Sequence, residues 1–225
     1  MLYLATSPSY SGVVDLLDRR RLGLMCQPGT NHPRVGWLWG ADNACHRAEC
    51  FDRGCAATGY ACVTKWDEAR WLRWLRSENL PRPGALFATA PDTVGDAALT
   101  IDRFVGGAYT HLIRAARYPV ALVAQDGMED LEVPWADLDV LFIGGSTDWK
   151  LGEGARAVAA EARARGKWVH VGRVNSSGRY RAWAPDADSA DGSFLSFGPD
   201  QNLPRLMRWL VEHEGAPTLW EGAPT

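Results

Sequence analysis

Residues able to do acid–base or nucleophilic chemistry, or to hold a ligand by hydrogen bonds and close backbone approach, recur at the ends of short apolar runs. In chain order they are Asp42 with Asn43, Asp92, Gln125 with Asp126, the pair Gly144 and Gly145, Arg173 with Asn175, and Asp188 with Asp191. Two carboxylates facing one substrate can divide the work of breaking a glycosidic bond. One attacks or stabilises a cation-like sugar carbon while the other manages the proton of the departing group. Asp accepts hydrogen bonds and Gln both donates and accepts, so the two together can read a polar ligand edge. Glycines, lacking a Cβ, let a backbone N–H approach a carbonyl closely. The same residues have a plainer reading, because acids and amides at strand ends also cap helices and fill turns.

Whether these groups meet depends on the elements that carry them. Eight apolar runs, each closed by Gly, Pro, Asp or a polar residue, read as strands. They are "LYLAT" (2–6), "LGLMCQ" (22–27), "GWLWGAD" (36–42), "GALFATAPD" (84–92), "YPVALVAQDG" (118–127), "DVLFIGGS" (139–146), "KWVHVGRVN" (167–175) and "DSADGSFLSF" (188–197). Runs such as "VALVA" do not alternate, which suits strands buried on both faces of a parallel sheet. Helix-like stretches at 66–78, 96–118 (interrupted by Gly106-Gly107), 152–167 and 202–215 lie between or after them. The predicted fold class is α/β, a single-domain (β/α)₈ barrel trimmed below the usual length of about 250 residues. The rival topology is an open doubly wound sheet. In a barrel every strand C-terminus opens on one face, so the polar strand ends would converge at one mouth.

Composition sets further limits. The 225 residues are 46% hydrophobic and include 11 Trp, enough for a sizeable core. A net charge of −3 gives no global pull toward nucleic acid, so any such contact needs a local patch. The N-terminal stretch lacks a basic start and long apolar core, and no run approaches the roughly 20 residues of a membrane helix. Five cysteines, an odd count, point to reduced thiols, and the expected location is cytoplasmic with no membrane partner.

The ordered set of strand ends resembles the tRNA-guanine transglycosylase superfamily, especially its shortened relatives among phage and bacterial deazapurine DNA modification proteins. In that family a strand-end "D-S-G-G" supplies a catalytic Asp, and "ADNAC" stands in its place here. "APD", "AQDG", "FIGGS" and "DSAD" follow in the family's order and cover most of the chain. The resemblance implies Asp191 as nucleophile and Asp42 as general acid/base. It implies Asp92, Gln125, Gly144 and Gly145 around the base, with Asp188 completing the "D-x-x-D" motif and Asn43 beside the first Asp. The implied partners are DNA and a 7-deazaguanine base, without an organic cofactor; opening duplex DNA would suit an ATP-dependent partner protein. The family's zinc group follows the nucleophile, whereas no cysteine follows Cys62 here, which favours DNA over tRNA.

Other features remain open in the sequence. Cys45, His46, Cys50, Cys55 and Cys62 cluster within one insertion, 44–64. Zinc is one reading; buried or loop thiols are the other, because C-x₄-C-x₄-C-x₆-C is not a CxxC knuckle pattern. Arg19-Arg20-Arg21 reads as a solvated helix end, while Arg173, Asn175 and Lys150 sit where they could reach sugar or phosphate. Arg179 and Arg181 extend that basic group. His170, inside a strand, reads as a core histidine, and Trp39 as either a stacking or a packing residue. The rival functions are a glycosidic hydrolase acting on nucleosides or DNA, a tRNA-guanine transglycosylase, and a non-catalytic nucleotide-binding barrel.

Overall fold

The computed structural model describes residues 1–45 and 66–213. Eight short strands pair in parallel and in sequence order: β1 (Leu2–Ala5), β2 (Gly23–Cys26), β3 (Leu38–Ala41), β4 (Ala85–Thr89), β5 (Val120–Ala124), β6 (Val140–Ile143), β7 (Trp168–Val171) and β8 (Ser189–Gly192). The sheet closes because β1 also pairs with β8, Leu2 opposite Ser189 and Leu4 opposite Asp191. Closure removes both edges and rules out the open doubly wound sheet. The fold is a (β/α)₈ barrel.

Eight α-helices are described: α1 (Ser11–Asp18), α2 (Glu68–Leu75), α3 (Ala97–Gly106), α4 (Tyr109–Ala115), α5 (Thr147–Leu151), α6 (Glu153–Ala164), α7 (Ser177–Trp183) and α8 (Pro199–Glu212). The long predicted helix breaks where the glycine pair falls. A Cβ on Gly107 would lie 2.4 Å from the Tyr109 ring, so the chain turns there on a residue without one. Helices α1, α5 and α7 carry too few turns to show a periodicity; side-chain caps from Ser146 and Ser176 mark two of them. The barrel is trimmed where residues 27–37 join β2 to β3 without a helix and where only a 3₁₀ turn, Met128–Asp130, lies between β5 and β6. Among the described residues no helix is long and apolar enough to cross a membrane.

The core divides at the barrel wall. Outward side chains such as Trp39, Leu24 and Val171 join the helices in one large cluster. Trp39 is fully buried there, its indole N–H donating to the Pro81 carbonyl at 3.0 Å, so it packs and has no face for a base. Leu4, Met25, Phe87, Ala121 and Val140 fill the interior. The strand period of two sends His170, Ser189 and Asp191 into that same interior, which becomes polar toward the C-terminal mouth.

Candidate active site

At the C-terminal ends of the strands lies a cavity of about 190 Å³. This is below the roughly 300–1,000 Å³ of pockets for drug-sized ligands, so it holds a small molecule or one part of a larger one. Asp42 (after β3), Asp92 (after β4), Gln125 (after β5), Gly144 and Gly145 (after β6), Arg173 (after β7) and Asp191 (in β8) all line it. Asn43 lines it too, while Phe142 and Val123 give it an apolar wall.

Asp42 is gripped from two sides. Gln27 donates to its Oδ2 at 2.5 Å, and the Ala44 amide donates to its Oδ1 at 3.0 Å. Gln27 ends the run "LGLMCQ", so the strand-end rule that finds the other residues reaches it as well, although it was not among the expected site residues.

Asp92 sits deepest. Asn43 Nδ2 donates to Oδ1 at 2.9 Å and Gln125 Nε2 to Oδ2 at 2.7 Å. Burial pushes its pKa up to about 6, with Asp42 adding to the rise and the Asn43 hydrogen bond opposing it. Above pH 6 the carboxylate is therefore ionised and accepts only. Below pH 6 it gains a proton and loses acceptor capacity. A ligand that donates hydrogen bonds to Asp92, with guanine as the probe in a calorimetric titration, should bind most tightly above about pH 6 and more weakly as the pH drops through that value. An affinity that rises on acidification would contradict this role for Asp92.

Asn43 has both amide protons committed, to Asp92 and to the Ala90 carbonyl at 2.7 Å, and its Oδ1 accepts from the Cys45 amide. Its work is to orient Asp92. Gln125 Oε1 accepts from the amides of Gly95 (3.0 Å) and Gly145 (3.2 Å). The Gly144 amide donates to the Ala124 carbonyl at 2.9 Å. The two glycine N–H groups expected to meet a carbonyl are thus both engaged within the chain. What the glycines supply is space: at Gly145, with φ +54°, a Cβ would stand 2.3 Å from the Trp149 ring. Asp126 secures this loop, accepting from the Ser146 amide at 2.7 Å and its hydroxyl at 2.5 Å.

Arg173 has a positive φ of 61° and donates from its guanidinium to the Gly145 carbonyl, bridging the β6 and β7 loops across the mouth. Lys150 does not line the cavity. It is buried, and its Nζ donates to the Gly172 carbonyl at 2.6 Å, propping the Arg173 turn from behind. Burial first, then the neighbouring Arg173, lowers its pKa to about 7.

The acidic stretch 186–191 separates by strand geometry. Asp186 pairs with Arg156 at 3.0 Å on the outside. Asp188 precedes β8, accepts from the Val169 amide at 2.8 Å and faces Arg163 at 3.9 Å. Three residues of extended chain span about 10 Å, so Asp188 and Asp191 stand at opposite ends of β8. Asp188 closes the bottom of the barrel and does not reach the cavity. Arg19, Arg20 and Arg21 also lie at that end, exposed and ahead of β2, with Arg19 paired to Asp15.

Beside the cavity runs a second, open groove of about 480 Å³. Asn175, two residues beyond Arg173, and Phe194, three beyond Asp191, form its near end. The Phe194–Trp209 ring pair, centroids 4.5 Å apart, lines it together with Arg181, Arg205 and Arg208 and one acid, Glu212. Arg181 and Arg208 form no ion pair with any described residue. The buried Oδ1 of Asn175 has no hydrogen-bond partner among them either. Cys45 is a buried free thiol; His46, Cys50, Cys55 and Cys62 lie outside the described residues. Among the described residues no group of three or more His, Cys, Asp or Glu could hold a metal.

No protein-family model matches the chain, and no curated protein sequence matches it. Among solved structures it is similar to tryptophan synthase from M. tuberculosis in an aminoacrylate- and BRD0059-bound form. The TM-score is 0.50 at 16% identity, over 97% of this chain and 91% of that one. A weaker likeness, TM-score 0.45 at 13% identity over 98% and 85% of the two chains, is to a citrate lyase from Burkholderia xenovorans LB400. At 16% identity the likeness to the synthase extends to the barrel alone, and the chemistry of this chain has to be read from its own side chains.

Proposed function

We propose that the protein is a transglycosylase that exchanges guanine in DNA for a 7-deazaguanine base by double displacement. One observation carries the reading: Asp42, Asp92, Gln125, Gly144, Gly145 and Asp191, drawn from five separate strand ends, line one small cavity. The resemblance to guanine transglycosylases assigns the roles. Asp191 attacks C1′, forming a C1′–O bond as the C1′–N bond to guanine breaks, and the electron pair leaves with the base. Asp42 gives that base its proton. The incoming deazaguanine loses its ring N–H proton to Asp42 and attacks C1′, releasing the Asp191 carboxylate. Asp92 and the second Gln125 amide proton face the base edge. Nothing in this sequence of bonds calls for an organic cofactor, and the buried free thiols of Cys26 and Cys45 suit a reducing, cytoplasmic setting.

The test is incubation of duplex and single-stranded DNA, and separately tRNA, with labelled guanine. Label entering DNA supports the proposal. Free guanine with abasic sites means hydrolysis instead, label in tRNA alone means the tRNA reaction, and no change in any arm overturns the catalytic reading. Preference for single-stranded over duplex DNA would leave strand opening to an ATP-driven partner protein.

The arginine-lined groove supports a polynucleotide substrate, since a phosphate backbone leaving the cavity would meet Arg181 and Arg208, which form no ion pair with a described residue, and stacked rings. Replacing Arg181 and Arg208 together by Glu should weaken binding of a single-stranded oligonucleotide. It should also reduce the slope of log K against log salt by at least about 1.4, roughly 0.7 per lost phosphate contact on a single strand. Unchanged binding by fluorescence anisotropy would remove the groove from the DNA path.

A further inference from the structure

His170 is fully buried inside the barrel, between the rings of Phe87 (centroids 4.9 Å) and Phe142 (4.5 Å). It is nevertheless fully engaged in hydrogen bonds. Its Nε2 lies 3.1 Å from Asp191 Oδ1, and its Nδ1 lies 2.8 Å from Ser189 Oγ. Trp168 Nε1 donates to that same oxygen at 2.8 Å. Four side chains thus form one polar file up the barrel axis, from Trp168 near the bottom to Asp191 at the cavity.

Donor counting selects one arrangement of the protons. The indole N–H can only donate, so Ser189 Oγ accepts from Trp168. An ionised Asp191 can only accept, so His170 Nε2 carries a proton. Were Nδ1 protonated as well, Ser189 would accept twice, and its own buried hydroxyl proton would have no role in the file. With Nδ1 bare, the Ser189 hydroxyl donates to it and every group in the file is satisfied. The arrangement that satisfies every group is thus the Nε2–H tautomer, held from below by Ser189.

We propose that His170 is a positioning residue for Asp191: the Trp168–Ser189 pair sets its tautomer, and its Nε2–H holds Oδ1 so that Oδ2 is presented to the cavity. A carboxylate free to rotate would offer either oxygen at varying angles. One pinned by a buried, ring-clamped donor keeps a single attack geometry. The same N–H stays on Oδ1 when that atom becomes the ester carbonyl, and it stabilises the carboxylate charge that returns when the ester is displaced. The reaction step rests on the function proposed above; the tautomer and its dependence on Ser189 do not.

Two measurements decide it. Long-range ¹H–¹⁵N correlation spectra of the histidine-labelled protein should show His170 as the neutral Nε2–H form, and Ser189→Ala should shift it away from that form. An Nδ1–H or doubly protonated ring at neutral pH, or a spectrum indifferent to Ser189→Ala, overturns the relay. In the base-exchange assay, His170→Phe keeps the ring and loses the donor, and should lower kcat by roughly 10²-fold with KM for the base unchanged. His170→Gln, which can place an N–H near the former Nε2, should recover a good part of that loss. Equal losses in both variants at matched melting temperature, or a loss confined to KM, overturn the positioning role. If the wild-type protein exchanges no base at all, the proposed function fails while the spectra still decide the relay.

Discussion

Replacing Asp191 by Asn should abolish base exchange, lowering it by roughly 10⁴-fold or more, as removal of a covalent nucleophile does. It should also abolish any DNA adduct trapped by denaturation during turnover. The substitution is well placed to separate chemistry from folding. Asp191 Oδ1 accepts from His170, and an Asn side chain can turn its own carbonyl oxygen to the same donor. The side chain is 13% exposed, so its outer atom faces the cavity and not a packed neighbour. Melting should therefore change little while both signals vanish. Retained exchange, or a surviving adduct, would take the nucleophile role from Asp191. Loss of the adduct together with a collapsed melting transition would call for the exchange assay on Asp191→Ser, which is smaller and still polar.

Most of the architecture was legible because buried parallel strands leave a blunt trace. All eight apolar runs hold a strand, and all but the first contribute a residue that lines the cavity. The rule that the mouth of a barrel collects strand ends needs only the order of elements, so it survives errors of one or two residues at boundaries. It could not tell which polar group touches the substrate and which touches another protein group. Asn43, Lys150 and the two glycine amides all look available in the sequence, yet each is committed to a partner forty or fewer residues away or on the adjoining strand end. Pairing of that kind is a property of packing and leaves no periodicity.

The two halves of the "DSAD" motif show the same limit in one dimension. As letters, Asp188 and Asp191 are equivalent. On an extended strand they sit at opposite ends, because β8 runs from Ser189 to Gly192 between them. His170 reverses the case. A histidine in an apolar strand reads as core, and it is core, at zero exposure. The period of two that buries it also aims it at the interior file of β8, so burial and a role beside the nucleophile are one placement. A buried polar side chain with both ring nitrogens paired is a stronger clue than its position in a run.

The second large effect concerns Asp42. Removing its carboxylate should lower exchange by about 10²- to 10⁴-fold, the usual worth of a positioned acid/base. The deficit should depend on the leaving group. A base that departs readily without a proton needs the acid less, so DNA carrying such a base should be attacked by the Asp42 variant at a rate closer to wild type. The Asp191 variant should gain nothing from the same substrate, because its missing bond is to carbon. The choice of replacement matters here. Both Asp42 oxygens accept, from Gln27 and from the Ala44 amide. Asn would set its NH₂ against one of these donors and leave a polar group unpaired, at a cost of about 1–3 kcal/mol. Asp42→Ala brings in no opposing NH₂ but leaves both donors without this acceptor, so the leaving-group comparison is best made in both variants. A deficit that is the same for easy and difficult leaving groups in both would show that Asp42 transfers no proton in the rate-limiting step.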